Sequence, residues 1–173
     1  MERSKVIVFT GPECAAKSTV SKEISEELDA MLIPEYARAY IEALSSPYTY
    51  EDVEAIAIRQ RDQFEQALNS KHSLVICDTF LIITKVWFQE VFGRMPDWLH
   101  AYIQSCKIDL HLLCYPDLDW VQDGVRENED KRLYLFECYK NELENYNFAY
   151  EIVRGQGIER INQAKDHINQ IVK

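Results

Sequence analysis

The densest chemistry in the chain lies in Gly11-Pro12-Glu13-Cys14-Ala15-Ala16-Lys17-Ser18-Thr19. This segment follows a continuous apolar run, Val6 to Phe9, and leads into a stretch with helical spacing. A turn between a strand and a helix aims successive backbone N–H groups, and the positive end of the helix, at an anion. Lys17 is placed to reach the outer phosphates of a nucleoside triphosphate, and the Ser18 hydroxyl to hold magnesium. The pattern is the phosphate loop G-x-x-x-x-G-K-[ST] with one mismatch, Ala16 in place of the second glycine. Alanine adds a methyl group where the backbone must approach phosphate closely, and it fits without strain only at negative φ. Alanine can take helical dihedrals, so the loop can form if the position has negative φ. An ordinary strand-to-helix turn, or a loop that keeps the fold without the nucleotide, are the competing readings.

Three further polar groups follow apolar runs, where open α/β sheets place their chemistry. Pro34-Glu35-Tyr36-Ala37-Arg38 comes after Met31 to Ile33. Glu35 either takes the proton of an attacking hydroxyl, as phosphoryl transfer to an alcohol requires, or is a surface carboxylate paired with Arg38. Asp78-Thr79 ends the run Leu74 to Cys77. Asp78 suits a magnesium or water-orienting position, and both residues also suit a helix N-cap. The third group runs from Tyr115 to Arg126 and on to Arg132. Arg126 and Arg132 could close on the phosphates and neutralise charge developing on the transferred group. Trp120 either stacks on an aromatic ligand or caps the edge of the core. Asp123-Gly124 reads first as turn chemistry. The glycines of Arg154-Gly155-Gln156-Gly157 let a loop pass close to a base, a weaker signal.

The elements that must position these groups alternate along the chain. Val20, Ile24 and Leu28 form one helical stripe. Two helical stretches follow Ile33, the second carrying Val53, Ile56, Ala57, Phe64, Ala67 and Leu68 on one face. An apolar-rich helix is predicted from Phe80 to Phe92, closed by Gly93, and a shorter one from Pro96 through Cys106. Leu110 to Tyr115 and Ala149 to Val153 read as strands. The acidic stretch 117 to 131 reads as a mobile loop. Leu133, Phe136 and Leu143 restore helical spacing, and Ile158, Ile161, Ala164, Ile168 and Ile171 line a last helix. Five strands separated by helices imply an α/β, three-layer P-loop NTPase fold, with a five-stranded, mostly parallel sheet and helices on both faces. One domain over residues 1–173, with a lid about 117–132, is the expected organisation.

Bulk composition narrows the partners. The formal charge is −10, from 19 basic and 29 acidic residues, which argues against nucleic acid while leaving a phosphate ligand open. No apolar run is long enough to span a membrane, and a cytoplasmic protein is expected. The five cysteines include no C-x-x-C pair, so neither a zinc site nor a disulfide framework is indicated, and reduced, mostly buried thiols are expected. The four histidines are scattered and read as structural or surface residues. Aromatic residues between 134 and 150 either form a homodimer interface or cover the sheet edge.

With these residues in place, the chain resembles the ribosylnicotinamide kinase domain of NadR-type proteins, a branch of P-loop kinases similar to nucleoside and nucleotide kinases. The likeness covers nearly the whole chain. It rests on Gly11-Pro12-Glu13 with Lys17-Ser18-Thr19, on Pro34 to Arg38, on Cys77-Asp78-Thr79, on Asp119 to Arg126 and on Gly155. That family ordinarily has glycine at the position of Ala16 and small hydroxyl residues near Cys14 and Ala15. The resemblance implies an ATP- and Mg2+-dependent kinase acting on a small molecule, a hydroxyl of nicotinamide riboside or a similar nucleoside or vitamin-like alcohol. It implies that Trp120 stacks on the substrate ring and that Asp123 and Glu35 hold hydroxyls, with Tyr36 and Arg38 beside them. Asp78 would assist the attacking group or the metal, and Arg126 and Arg132 would serve as lid cations. The alternatives are a nucleotide-binding ATPase or regulatory module without an alcohol substrate, and a degenerate fold that binds no nucleotide.

Overall fold

A computed structural model of the chain describes residues 3–172. Its five strands are β1 (Lys5–Thr10), β2 (Met31–Ile33), β3 (Leu74–Asp78), β4 (Leu110–Cys114) and β5 (Tyr150–Val153). They form one sheet in the order β2-β3-β1-β4-β5, with every neighbouring pair parallel. The helices are α1 (Lys17–Glu27), α2 (Tyr36–Glu42), α3 (Tyr50–Leu68), α4 (Leu81–Phe92), α5 (Asp97–Ser105), α6 (Arg132–Asn145) and α7 (Gly157–Ile171). The expected α/β three-layer architecture is present, and most element ends are displaced by about one residue from those expected. Residues 117–128 are irregular, followed by a single 3-10 turn at Glu129–Lys131.

The period of two along each strand divides the core into two layers. Val6 and Val8 of β1, with Val75 and Cys77 of β3, face α3, α4, α5 and α6. Ile7 and Phe9, with Leu74 and Ile76, face α1 and α7. Because the central strands are covered on both sides, they read as continuous apolar runs without polar alternation. Helix α3 starts at a capping box in which Thr49 and Asp52 satisfy each other's backbone N–H groups. Helix α4 ends at Gly93, whose φ of 63° supplies the left-handed C-cap.

Of the five cysteines, all unpaired, Cys77 and Cys114 are buried, whereas Cys14, Cys106 and Cys138 are only half-buried. The expectation of mostly buried thiols is corrected accordingly: these three sit at a loop or on helix flanks and not on the two-faced strands. Among the described residues no helix is long and apolar enough to cross a membrane.

Strand register sets the geometry of the site. Phe9 pairs with Asp78, and Ile33 with Cys77. The chain leaving β1 at Gly11 therefore lies beside Asp78, and the chain leaving β2 brings Glu35 next to both. On the other side Thr10 pairs with Leu113, and Cys114 with Val153. Gly11, Tyr115 and Gly155 thus emerge together along the same carboxyl edge of the sheet.

Candidate functional site

Two adjoining cavities open at that edge. The first is a cradle formed by residues 13–19 together with Glu35, Arg38 and Arg126. The loop is built on two non-glycine residues in the left-handed region, Cys14 at φ 53° and Ala16 at φ 57°. Ala16 does not have the negative φ at which alanine fits without strain. It is the N-cap of α1, the residue at which the chain turns into the helix, and it does so in the left-handed conformation. Each such alanine or cysteine costs about 1–2 kcal/mol relative to an unstrained backbone. Gly11 stands at φ 151°, and a Cβ there would lie 2.7 Å from the Cys114 carbonyl oxygen. Gly11→Ala is expected to destabilise the fold by about 2–3 kcal/mol, read as a lowered urea midpoint at unchanged m-value.

Within the cradle, Lys17 Nζ donates to the Pro12 carbonyl at 2.7 Å, and the exposed hydroxyls of Ser18 and Thr19 line the mouth. Asp78 is 4% exposed, and one carboxylate oxygen, Oδ1, is buried without a hydrogen-bond partner. Burial pushes the Asp78 carboxyl above the usual aspartate range, against the opposing pull of the Ser18 hydroxyl and the Lys17 ammonium. An orphaned acid oxygen next to a serine hydroxyl is a donor set that suits magnesium, which takes few protein ligands and completes its shell with water and phosphate. Asp78 and Thr79 do not cap α4: the N-cap is Phe80, and no side chain bonds the helix terminus. Thr79 has φ 73°, an outlier for a β-branched residue, and its hydroxyl is also buried without a partner.

Glu35 stands where the cradle meets the second cavity. Burial raises its carboxyl above the ordinary glutamate value; Lys17 pulls it back, and the nearby Asp78 pushes it further up. Its ion pair with Arg38 is long, 3.9 Å from Nε, because Arg38 Nη1 is committed to Asp123 at 2.6 Å. The second cavity shares Glu13, Lys17, Glu35 and Arg38 with the cradle. Its walls add Tyr48, Trp87 and Tyr139, the polar Gln60, Thr79 and Thr84, and the carboxylate of Glu127. Tyr48 and Trp87 meet edge to face with centroids 5.0 Å apart, and the Tyr48 hydroxyl lies 3.4 Å from Glu127 Oε2. The Thr84 hydroxyl donates to Gln60 Oε1 at 2.6 Å, which fixes the orientation of that amide.

The irregular segment after β4 folds over the loop. Glu13 accepts from the backbone N–H groups of Glu127 at 3.3 Å and Asn128 at 3.0 Å, and the Val121 N–H points at Cys14 Sγ from 3.3 Å. Arg126 lines the cradle, donates to the Val121 carbonyl and lies 3.2 Å from Asp123.

Other residues singled out in the sequence sit apart from the two cavities. Trp120 borders neither; its indole N–H donates to Gln122, and the Arg132 guanidinium lies 5.8 Å from its ring. Arg132 also donates to the Leu118 carbonyl at 2.7 Å, so its charge is spent within the loop. Asp123 holds Arg38 and the turn N–H groups of Val125 and Arg126. Tyr36 packs on Tyr40, with Arg59 over its ring. The Gly155 N–H donates to Asp117 at 2.8 Å, in the loop beside the cradle. Tyr48, Gln60, Trp87, Tyr139 and Glu127 also line the second cavity and were not among the residues expected there. Trp87 lies four residues after Ile83 on a helix so apolar that no face stands out in the sequence.

Comparison with known proteins agrees with this fold. A family model described as an AAA domain matches residues 6–160. The trifunctional NAD biosynthesis/regulator protein NadR of Salmonella typhimurium is 23% identical over 126 residues, 70% of this chain and 31% of that protein. The chain thus spans about a third of the length of that curated relative. Among solved structures, a NadR protein in complex with NR superposes with a TM-score of 0.87 at 24% identity, covering 98% of this chain and 52% of the other. A NadR protein in complex with NAD and AMP-PNP gives a TM-score of 0.80 at 20% identity, covering 98% and 49%.

Proposed function

We propose that this chain, which belongs to the AAA domain family, is an ATP-dependent small-molecule kinase that phosphorylates a hydroxyl of nicotinamide riboside or of a similar nucleoside or vitamin-like alcohol. The observation that carries this reading is the junction of two unlike cavities at Lys17, Glu35 and Arg38. One is a phosphate cradle. The other has aromatic walls at Tyr48, Trp87 and Tyr139 and carboxylates at Glu13, Glu35 and Glu127. Aromatic faces and carboxylates together favour a flat, positively charged ring such as a pyridinium over a neutral base. Gln60, with its oxygen held by Thr84, has amide N–H donors for a carbonyl on that ring. The NadR complexes with NR and with AMP-PNP support the same pairing of acceptor and donor.

In this assignment Lys17 and the loop N–H groups hold the outer phosphates of ATP, and Arg126 offsets charge on the transferred group. Glu35 accepts the proton of the acceptor hydroxyl as its oxygen bonds to the γ-phosphorus and the bond to the departing ADP breaks. Ser18 and Asp78 would hold Mg2+, which when bound neutralises phosphate charge. Residues 117–132 act as the lid that keeps water from the transfer.

The direct test is transfer of labelled phosphate from ATP to nicotinamide riboside, thiamine and neutral nucleosides. Transfer to the cationic ring compounds is expected; hydrolysis of ATP with no phosphorylated alcohol would instead favour a nucleotide-binding ATPase or regulatory module. Replacing Trp87 by Ala is expected to raise the KM for nicotinamide riboside about tenfold, since stacking on an aromatic face contributes about 1–3 kcal/mol per ring. Trp120→Ala is expected to change it by less than about twofold, because that side chain lies outside the cavity; steady-state kinetics on the two variants separates them.

A further inference from the structure

We propose that Arg160 is a positioning residue for the phosphate loop: by gripping the Ala15 carbonyl from behind, its guanidinium holds the Ala16 N–H toward the phosphates. The inference rests on the reading of residues 11–19 as the nucleotide cradle. Arg160 is 1% exposed, among the most buried large side chains in the protein. Four of its five N–H donors are committed along the back of the site. Nη1 donates to the Ala15 carbonyl at 2.8 Å, Nε to the Gly155 carbonyl at 2.7 Å, and Nη2 to the Tyr115 carbonyl at 3.1 Å and to the Asp117 carboxylate. Asp117 in turn accepts from the Gly155 N–H at 2.8 Å.

The physical link from this cluster to phosphate is the peptide plane. No peptide bond in the described residues is cis, so the carbonyl of Ala15 and the N–H of Ala16 point in opposite directions across one rigid unit. Ala15 precedes the helix, whose first intrahelical bond is Val20 N–H to the Ala16 carbonyl, so α1 offers the Ala15 oxygen no donor. Arg160 supplies that donor from the side away from the cradle and so aims the Ala16 N–H into it. The tether acts where it is most needed. Both neighbours of Ala15 are non-glycine residues in the left-handed region, and an untethered peptide there relaxes by turning its N–H away. The planar fork of arginine reaches four acceptors at fixed angles, which a lysine ammonium on a flexible stem does not reproduce.

This assigns Arg160 a coupling to Ala16 that a general packing role lacks. Arg160→Lys keeps the charge and most of the volume. In the natural background it is expected to weaken Mg-ATP binding about tenfold in calorimetry. In an Ala16→Gly background, where the left-handed conformation carries no penalty, the same change is expected to cost less than about threefold. Amide hydrogen exchange without nucleotide provides a second readout: residues 15–18 should exchange faster in Arg160→Lys, while α4 and β3 keep their protection. Equal losses in the two backgrounds, or unchanged exchange at residues 15–18, would overturn the inference. Failure of the unaltered protein to bind Mg-ATP would instead defeat the nucleotide reading, and the exchange comparison would still decide whether Arg160 holds the loop.

Discussion

Lys17→Ala is expected to lower phosphoryl transfer by about 10³-fold while leaving the melting temperature close to that of the unaltered protein. In the structure the Lys17 ammonium rests on the Pro12 carbonyl, within its own loop, and bridges no distant elements. Its removal therefore costs the fold little. In the proposed site, charge that builds on the transferred phosphoryl group would lose a fixed cation, and removing one such preorganised donor typically costs about 10²–10³ in rate. Single-turnover transfer from labelled ATP measures the loss; a thermal melt checks the fold. A variant retaining more than about a tenth of the rate would remove Lys17 from the transfer step. Arginine is a poor substitute here, because its broad fork does not fit a loop shaped round a compact ammonium. Lys17 is also the strongest influence holding the Glu35 carboxyl down against burial. The residual activity of Lys17→Ala should accordingly need a higher pH than that of the unaltered protein.

Glu35→Gln carries the second large effect, and its signs for activity and stability are opposite. Loss of the proton acceptor is expected to lower kcat by about 10²–10⁴-fold. The glutamine is nearly the same shape and removes a charge that burial and Asp78 both disfavour. An acid whose pKa is higher in the folded than in the unfolded state binds its proton more tightly when folded. Ionised Glu35 therefore withdraws stability as the pH rises from the ordinary glutamate value of 4.5 through the raised folded value. Above that window Glu35→Gln should be the more stable protein, with the difference constant; below 4.5 the two should converge. Chemical denaturation at several pH values tests this, and a less stable Glu35→Gln at neutral pH would contradict the buried, charged description of the site. For catalysis, kcat/KM should fall on acidification through the raised pKa, above the range of an unperturbed glutamate, because only the ionised carboxylate accepts a proton.

Both residues were legible in the sequence, for a reason that applies to the whole carboxyl edge of the sheet. An apolar run that stops at a polar residue marks a strand end, and parallel strands with covered faces produce such runs without interruption. Gly11 to Thr19, Glu35 and Asp78 could be found because each follows such a run at once. The sheet, its helices and most of their ends were readable on the same grounds, since burial imposes a period of two on strands and about 3.6 on helices.

What only the tertiary structure decided lies between elements distant in the chain. Tyr48, Gln60, Trp87 and Tyr139 come from one loop and three helices, and no local pattern marks them as walls of one cavity. Trp120 could stack on a ligand or cap the core edge by its sequence, yet its neighbours are Arg132 and Gln122 and not the cleft. Arg160 of α7 comes to lie behind Ala15, 145 positions earlier in the chain, only through folding. The conformation of Ala16 follows the same rule. Sequence alone gives alanine its preference for negative φ, but that preference amounts to only about 1–2 kcal/mol. Helix α1, the two flanking strands and the Arg160 tether together outweigh it, so the backbone at Ala16 is set by its surroundings and not by its side chain.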